Sequence, residues 1–368
     1  MKKALWLGLA MIPIAAGAAP RDESVAQQVD RYAGQIFRDS KAVGMVMVVV
    51  NGKESLQRFY GRTAPGSAQR PDADSLLRIA SVSKSMTGEV LAALAQENRV
   101  RLDDPLQKYA PRGVALPPAA RPVTLLNLAT HTSGFPREMP GNKPPDTPVF
   151  VWPSQQQRWR WLAGAQSRFA VGQTAQYSNL GFDLLADALA VATGRPYAAL
   201  LREKITAPLG MADTTLTPTP AQCARLLRGV GASPCVGTLA ASGSGGIYST
   251  PRDMERWLRD LAKPADPARR QLRDQMFQAY FKREQLRSLR GMDVAGKADE
   301  LGLGWVKMQL PDAPEIVQKT AGGGGFIGYV AIAPASEVAV WVGMTRSEST
   351  HYKNMSAGVN QLVAALSR

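Results

Sequence analysis

Ser81-Val82-Ser83-Lys84 sets a hydroxyl and an amine three residues apart, at the head of a segment whose Met86, Val90, Leu91 and Leu94 recur at helical spacing. Both side chains therefore face one side of a single turn. A serine hydroxyl is a poor nucleophile near neutral pH, and a neighbouring lysine activates it only when burial or a second cation keeps the amine partly neutral. The free N–H groups at a helix start favour developing negative charge, which makes the Ser81 amide a candidate oxyanion donor. Two further clusters carry complementary groups. Tyr177-Ser178-Asn179, just before a predicted helix over 180–193, offers a phenol for proton transfer and a carboxamide for a substrate carbonyl. Lys319-Thr320-Ala321-Gly322, read as the start of a strand over 326–332, offers a cation and a hydroxyl for a carboxylate, and its Gly322 amide is a second oxyanion donor. Lys319 is also expected to be the cation that depresses Lys84 or Tyr177.

Taken singly, each cluster has a structural explanation: Ser81 and Asn179 as helix caps, Lys319 as an exposed lysine at a glycine-rich strand entry. Their order along the chain is what points to nucleophilic catalysis. A second Y-x-N match, Tyr352-Lys353-Asn354, is set aside because it precedes only the terminal helix. The chain has two histidines and two cysteines, so neither a zinc nor an iron–sulfur centre is expected, and no cofactor is implied. His131 reads as a structural hydrogen-bonding residue, since lysine and tyrosine already fill the role of base.

These groups need a scaffold, and 368 residues with 45% hydrophobic and 20% charged side chains suffice for about two structural units. The segment 44–50, the turn Asn51-Gly52 and the segment 54–60 read as a hairpin; the runs 326–332 and 338–344 read as two more strands, and helices are expected over 24–38 and 354–366. One antiparallel sheet formed by both chain ends and covered by terminal helices is the simplest arrangement. Between the ends the pattern is helical: 81–97, 124–130, 155–163, 179–193 and 197–205. The expected division is 19–78 with 240–368 as an α/β domain, and 79–239 as an inserted, mostly helical lobe. A proline-rich stretch over 135–153 is too long for an ordinary connection and is read as a lid or an insertion. Trp152, Trp159 and Trp161 after it are expected in the lobe's core. The region 250–290, with 11 basic and 6 acidic residues from Pro251 on, reads as helical with a solvated charged face.

Lys2 and Lys3, the apolar run 4–14 and the small residues 15–19 form an export signal, with cleavage after Ala18. An oxidising compartment would let Cys223 and Cys235, 12 positions apart, close a loop. The net charge of +14 favours an anionic partner, whether polymer or membrane surface.

In these motifs the sequence resembles the penicillin-recognising serine hydrolases of the class C β-lactamase-like family, and within it the periplasmic D-alanyl-D-alanine carboxypeptidase/endopeptidases. Other stretches agree, among them Leu128-Ala129-Thr130-His131-Thr132-Ser133-Gly134, Pro208-Leu209-Gly210-Met211 and the run Gly245 to Thr250. The resemblance implies a β-lactamase/transpeptidase-like fold, α/β plus all-α. It implies that Ser81 is acylated, that Lys84 and Tyr177 share proton transfer with the base left open between them, that Asn179 positions the acyl side, and that Lys319 and Thr320 engage a carboxylate. It further implies a periplasmic enzyme acting on peptidoglycan D-Ala-D-Ala tails and D-Ala-diaminopimelate crosslinks and covalently blocked by β-lactams, with no nucleic-acid partner and peripheral membrane contact left open. A class C β-lactamase and a slow penicillin sensor are the alternatives. Ala321 departs from the glycine usual at the third position of K-T-G, and its methyl narrows the cleft where strand and nucleophile helix meet.

Overall fold

The computed structural model describes residues 23–311 and 313–368. The proposed signal segment, 1–18, lies outside the described residues. Eight antiparallel strands form the main sheet: β1 (Gly44–Asn51), β2 (Glu54–Gly61), β3 (Phe281–Lys282), β4 (Glu300–Leu301), β5 (Val306–Gln309), β6 (Glu315–Gly323), β7 (Phe326–Ala333) and β8 (Val338–Thr345). Their spatial order is β2-β1-β8-β7-β6-β5-β4-β3, so the two chain ends meet where β1 pairs with β8.

The central strands read as unbroken apolar runs because both their faces are covered. On one face Met45, Met47 and Val49 of β1 pack with Val29, Ala33 and Ile36 of helix α1 (Val25–Ser40) and with Met355, Val359 and Leu362 of the terminal helix, Tyr352–Leu366. On the other face Val46, Val48 and Val50 join a larger core with the helical segments. That core includes α2 (Ser83–Gln96), α3 (Asn179–Thr193), α4 (Pro251–Ala262) and the shorter helices Leu125–Ala129, Gln155–Ala163 and Tyr197–Leu201. Trp159 is buried in it, whereas Trp161 is only partly buried against it and Trp152 is half-exposed. The chain crosses between sheet and helices at Leu77–Arg78, which pairs with Tyr248–Ser249.

Three elements differ from the sequence expectation. The N-terminal hairpin turns on Gly52-Lys53 rather than Asn51-Gly52, because Asn51 pairs with Glu54 and only Gly52 takes a positive φ. The basic region is not one helical stretch. After α4, Pro264 and Pro267 interrupt it, Asp266 caps a second helix, α5 (Pro267–Phe277), and the chain then turns extended to add β3 and the strand Ser288–Arg290. Its charges are also not all solvated: Arg269 donates to the buried carboxylate of Glu89 on α2 at 2.7 Å, and Trp257 donates to the same group at 2.9 Å. Finally, Lys319-Thr320-Ala321-Gly322 does not start the strand over 326–332 but lies on its own strand, β6. Gly324 and Gly325, both at positive φ, make a two-residue turn that sends the chain back antiparallel as β7.

Candidate active site

Ser81 sits in a single 3-10 turn, Ala80–Val82, that leads into α2, two residues before the first residue of that helix. Ala80 before it holds φ +44°, a left-handed conformation that costs an alanine on the order of 1 kcal/mol. Lys84, on the first turn of α2, is fully buried. Its Nζ lies 3.2 Å from the Ser81 Oγ, 2.6 Å from the Asn179 Oδ1 and 2.6 Å from the backbone oxygen of Ser244. The last two partners are acceptors only. They fix two of the amine's hydrogens, so in the neutral amine the lone pair is left facing the serine hydroxyl. Burial brings the Lys84 amine down to about 7; the carboxylates of Asp183 and Glu138 work against that shift, and the guanidinium of Arg137 adds to it. Burial is thus the main cause and Arg137 the cation that adds to it, while Lys319, whose own amine Lys84 pushes down, repels Lys84 in return.

The Tyr177-Ser178-Asn179 loop is set by a division of labour between neighbours. Ser178, not Asn179, is the N-cap of α3, accepting from the Gly181 amide at 2.9 Å, and this leaves the Asn179 carboxamide free for the site. Tyr177 follows a short strand, Thr174–Gln176. Its ring is the centre of the site: Lys84 Nζ and Lys319 Nζ each lie 4.8 Å from the ring centroid, and the Arg137 guanidinium lies 4.9 Å away. His131 stacks on the same ring at 4.5 Å. Its Nδ1 accepts from the Ser178 amide at 3.0 Å, and burial, followed by the charges of Lys319, Lys84 and Arg137, holds the imidazole well below its usual range. A neutral ring bonded in this way positions the Tyr177 loop.

Lys319 is 2% exposed on β6, and burial brings its amine down to about 8; the Tyr177 phenol opposes the shift and Lys84 adds to it. β5 covers only Glu315 to Gln318 of this strand, so from Lys319 onward the outer edge of β6 is open. Because Gly323 and Phe326 flank the two-residue turn, the antiparallel alternation directs the Gly322 N–H and C=O away from β7, toward that open edge. Ala321 is buried in the core and pairs with Gly328. Thr320 lies beside the phenol of Tyr352, the first residue of the terminal helix, whose hydroxyl donates to Gly328 O at 3.4 Å. The Y-x-N match set aside on sequence order thus brings its tyrosine to the Lys319-Thr320 strand.

Sequence reasoning missed several other residues of the site. Asp183, one turn along α3 from Asn179, is buried and accepts from the Ser244 amide at 2.9 Å and the Ser244 hydroxyl at 3.0 Å, which holds the carbonyl that Lys84 bonds. Burial raises its carboxyl to about 7. Two acidic residues four apart, Asp183 and Asp187, in line with Asn179 on a helix otherwise rich in Leu and Ala, were the available signal. The proline-rich stretch contributes Arg137 and Glu138 at its start. Near its end the Phe150 ring closes on Gly245 and Gly323, where any side chain at either glycine would collide with it. The Val149 amide donates to Ser233 Oγ at 2.9 Å, within the loop that the Cys223–Cys235 disulfide closes. Arg78 reaches the same loop through the carbonyl of Pro234.

An antiparallel sheet flanked by helices, with a buried lysine on a serine at the head of a core helix, defines a class, and the comparisons agree: the Beta-lactamase family model matches residues 25–365, and the chain belongs to that family. It is 52% identical over 342 residues to the D-alanyl-D-alanine-carboxypeptidase/endopeptidase AmpH of Escherichia coli K12, covering 92% of this chain and 89% of that protein. A Yersinia pestis structure titled β-lactamase/D-alanine carboxypeptidase complexed with citrate superposes with a TM-score of 0.89 at 52% identity, covering 94% of this chain and 99% of that one. The β-lactamase of E. coli K12 is more distant, 25% identical over 348 residues.

Proposed function

We propose that the chain is a serine D,D-peptidase that trims D-Ala-D-Ala tails of peptidoglycan and splits its D-Ala-diaminopimelate crosslinks, and that β-lactams acylate the same serine. The 52% identity to a carboxypeptidase/endopeptidase over most of both chains supports the substrate class. One observation carries the mechanism: the Lys84 amine, brought to about 7, is held by two acceptors so that its free electron pair meets the Ser81 hydroxyl at 3.2 Å. Neutral Lys84 takes the hydroxyl proton as Ser81 Oγ attacks the carbonyl of the penultimate D-alanine. The resulting oxyanion is met by the Ser81 and Gly322 amides, while charged Lys319 holds the terminal carboxylate at the open edge of β6. The proton passes to the departing amine, with the Tyr177 phenol between the two ammonium groups as the route, and water then clears the acyl-enzyme.

Export by cleavage after Ala18 and residence in the periplasm belong to the same reading, supported by the signal pattern of the sequence and by a disulfide that an oxidising compartment sustains. The test gives the purified protein crosslinked muropeptides, a labelled penicillin and nitrocefin, with Ser81→Ala as control. Released D-alanine and split dimers are expected. Rapid nitrocefin turnover would make it a β-lactamase instead, and a persistent label without product a sensor.

A further inference from the structure

Both acceptors that orient the Lys84 amine are held by α3. Asn179 supplies one directly, through Oδ1 at 2.6 Å. The other, the Ser244 carbonyl at 2.6 Å, belongs to a backbone segment, Gly243-Ser244, that Asp183 grips from one turn further along the same helix. Asp183 Oδ1 accepts from the Gly243 amide at 3.2 Å and the Ser244 amide at 2.9 Å, and Oδ2 accepts from the Ser244 hydroxyl at 3.0 Å. The segment is trapped from both sides: Thr87 Oγ1 on α2 donates to Gly243 O at 2.8 Å, and a side chain at position 243 would run into the Phe182 backbone. A rigid file of groups thus leads from Asp183 through one peptide unit to Lys84 and Ser81.

Holding a carbonyl in place needs no charge, and an asparagine would serve. A buried carboxylate costs desolvation, which here pushes Asp183 up to about 7. Its charge matters when Ser81 Oγ gives its proton to Lys84 Nζ, because a positive charge then forms on a fully buried amine. Of the two anions that act on this amine Asp183 is the stronger; Glu138, the other, is exposed. Arg137 and Lys319 oppose them, with the Tyr177 ring between the cations. Asp183 in turn faces Arg158 from the helix Gln155–Ala163, Asp187 from its own helix and Tyr197 from the helix Tyr197–Leu201.

The structure assigns Asp183 as a positioning residue that acts through the Ser244 peptide: it aims the Lys84 lone pair at the Ser81 hydroxyl and compensates the ammonium that forms as the proton is taken, the part a buried aspartate plays behind the histidine of a serine triad. This rests on the reading of Ser81 as the acylated nucleophile and Lys84 as its base.

The experiment follows the second-order rate of Ser81 labelling by a fluorescent penicillin from about pH 5 to 9 in the wild-type protein, Asp183→Asn, Asp183→Ser and Ser244→Ala. Asparagine fills the same volume and meets the same three donors, its Oδ1 taking the two amides and its Nδ2 turning the Ser244 hydroxyl into an acceptor. Without the anion the Lys84 ammonium is harder to form. The acid limb, near 7 in the wild type, is expected to move down by about one pH unit in either Asp183 variant, and the plateau to fall by about tenfold. Ser244→Ala keeps the carboxylate and both amide bonds, so its limb should stay near 7. A limb unmoved in the Asp183 variants, or moved as far in Ser244→Ala, overturns the proposal. A wild-type protein with no limb near 7, or with no label on Ser81, would instead overturn the reading of Lys84 and Ser81.

Discussion

Replacing Lys319 with methionine separates the two ionisations that frame this site. The productive form needs Lys84 neutral, to accept a proton, and Lys319 charged, to hold a carboxylate. With the two amines brought to about 7 and about 8, the doubly correct form peaks at roughly pH 7.5 with about 58% of the protein. It falls about 20-fold by roughly pH 5.5 and again by roughly pH 9.5. The wild-type profile of kcat/KM on a peptide ending in D-Ala-D-Ala is therefore a narrow bell. Lys319→Met keeps an unbranched chain up to the Cε position and removes the ammonium, with its charge and its N–H donors. Losing a charged hydrogen bond of about 1.5–3 kcal/mol should lower kcat/KM by about 10- to 150-fold at the optimum. The falling limb should vanish, so that the rate at roughly pH 9.5 equals the plateau. The rising limb should stay near 7 or move somewhat upward, because burial is the largest cause of the Lys84 depression and losing the mutual repulsion with Lys319 only eases it. Initial rates of D-alanine release from about pH 5 to 10 at constant ionic strength measure this. A basic limb that survives the substitution at its old midpoint would refute the assignment of Lys319, and an acid limb in the ordinary carboxylate range would refute Lys84 as the base.

Lys84→Met should abolish acylation by a labelled penicillin by about 10³-fold while raising Tm. The folded state depresses this amine, so the unfolded chain binds more protons between about 7 and the ordinary lysine value, and the group's contribution to stability rises with pH across that window. The gain in Tm should accordingly be larger at roughly pH 6 than at roughly pH 9; a lower Tm at both would contradict the buried-amine account. Opening the 12-residue Cys223–Cys235 link with paired alanines should cost up to about 3 kcal/mol in denaturant unfolding. It should also raise KM, because Ser233 in that loop holds the amide of Val149, next to the Phe150 wall; an unchanged KM would detach the loop from the cleft. Tyr352→Phe should raise KM for substrates with a free terminal carboxylate by about threefold, the order of one neutral hydrogen bond, with little change for an amidated analogue. Equal effects on the two substrates would show that the phenol beside Thr320 acts only on packing.

Much of this protein was legible in one dimension because local physics governs it. Helical spacing after Ser81 and the three-residue gap to Lys84 put hydroxyl and amine on one face, and unbroken apolar runs at both ends announced strands buried on both sides. The helix Asn179–Thr193 and its stop at Gly194 follow from capping chemistry alone. Strand pairing is not local, which is why β6 went unseen as a separate strand: Gly324 and Gly325 become a tight turn only when Phe326 finds Gly323 across it. The same holds for the electrostatics. Sequence shows that Lys84 could be a base if something lowered its pKa, but burial in a core drawn from both ends of the chain lowers it, and the carboxylates and guanidinium that adjust it arrive from 53 to 99 positions away. Tyr352 was dismissed on order along the chain, yet its helix folds back over the sheet and delivers the phenol to Thr320. The sequence by itself determined which groups could react, because identity and short-range spacing are covalent facts. The tertiary structure decided which of them are dry, which face one another and which proton is free to move, because desolvation and Coulomb interaction depend on distance through space.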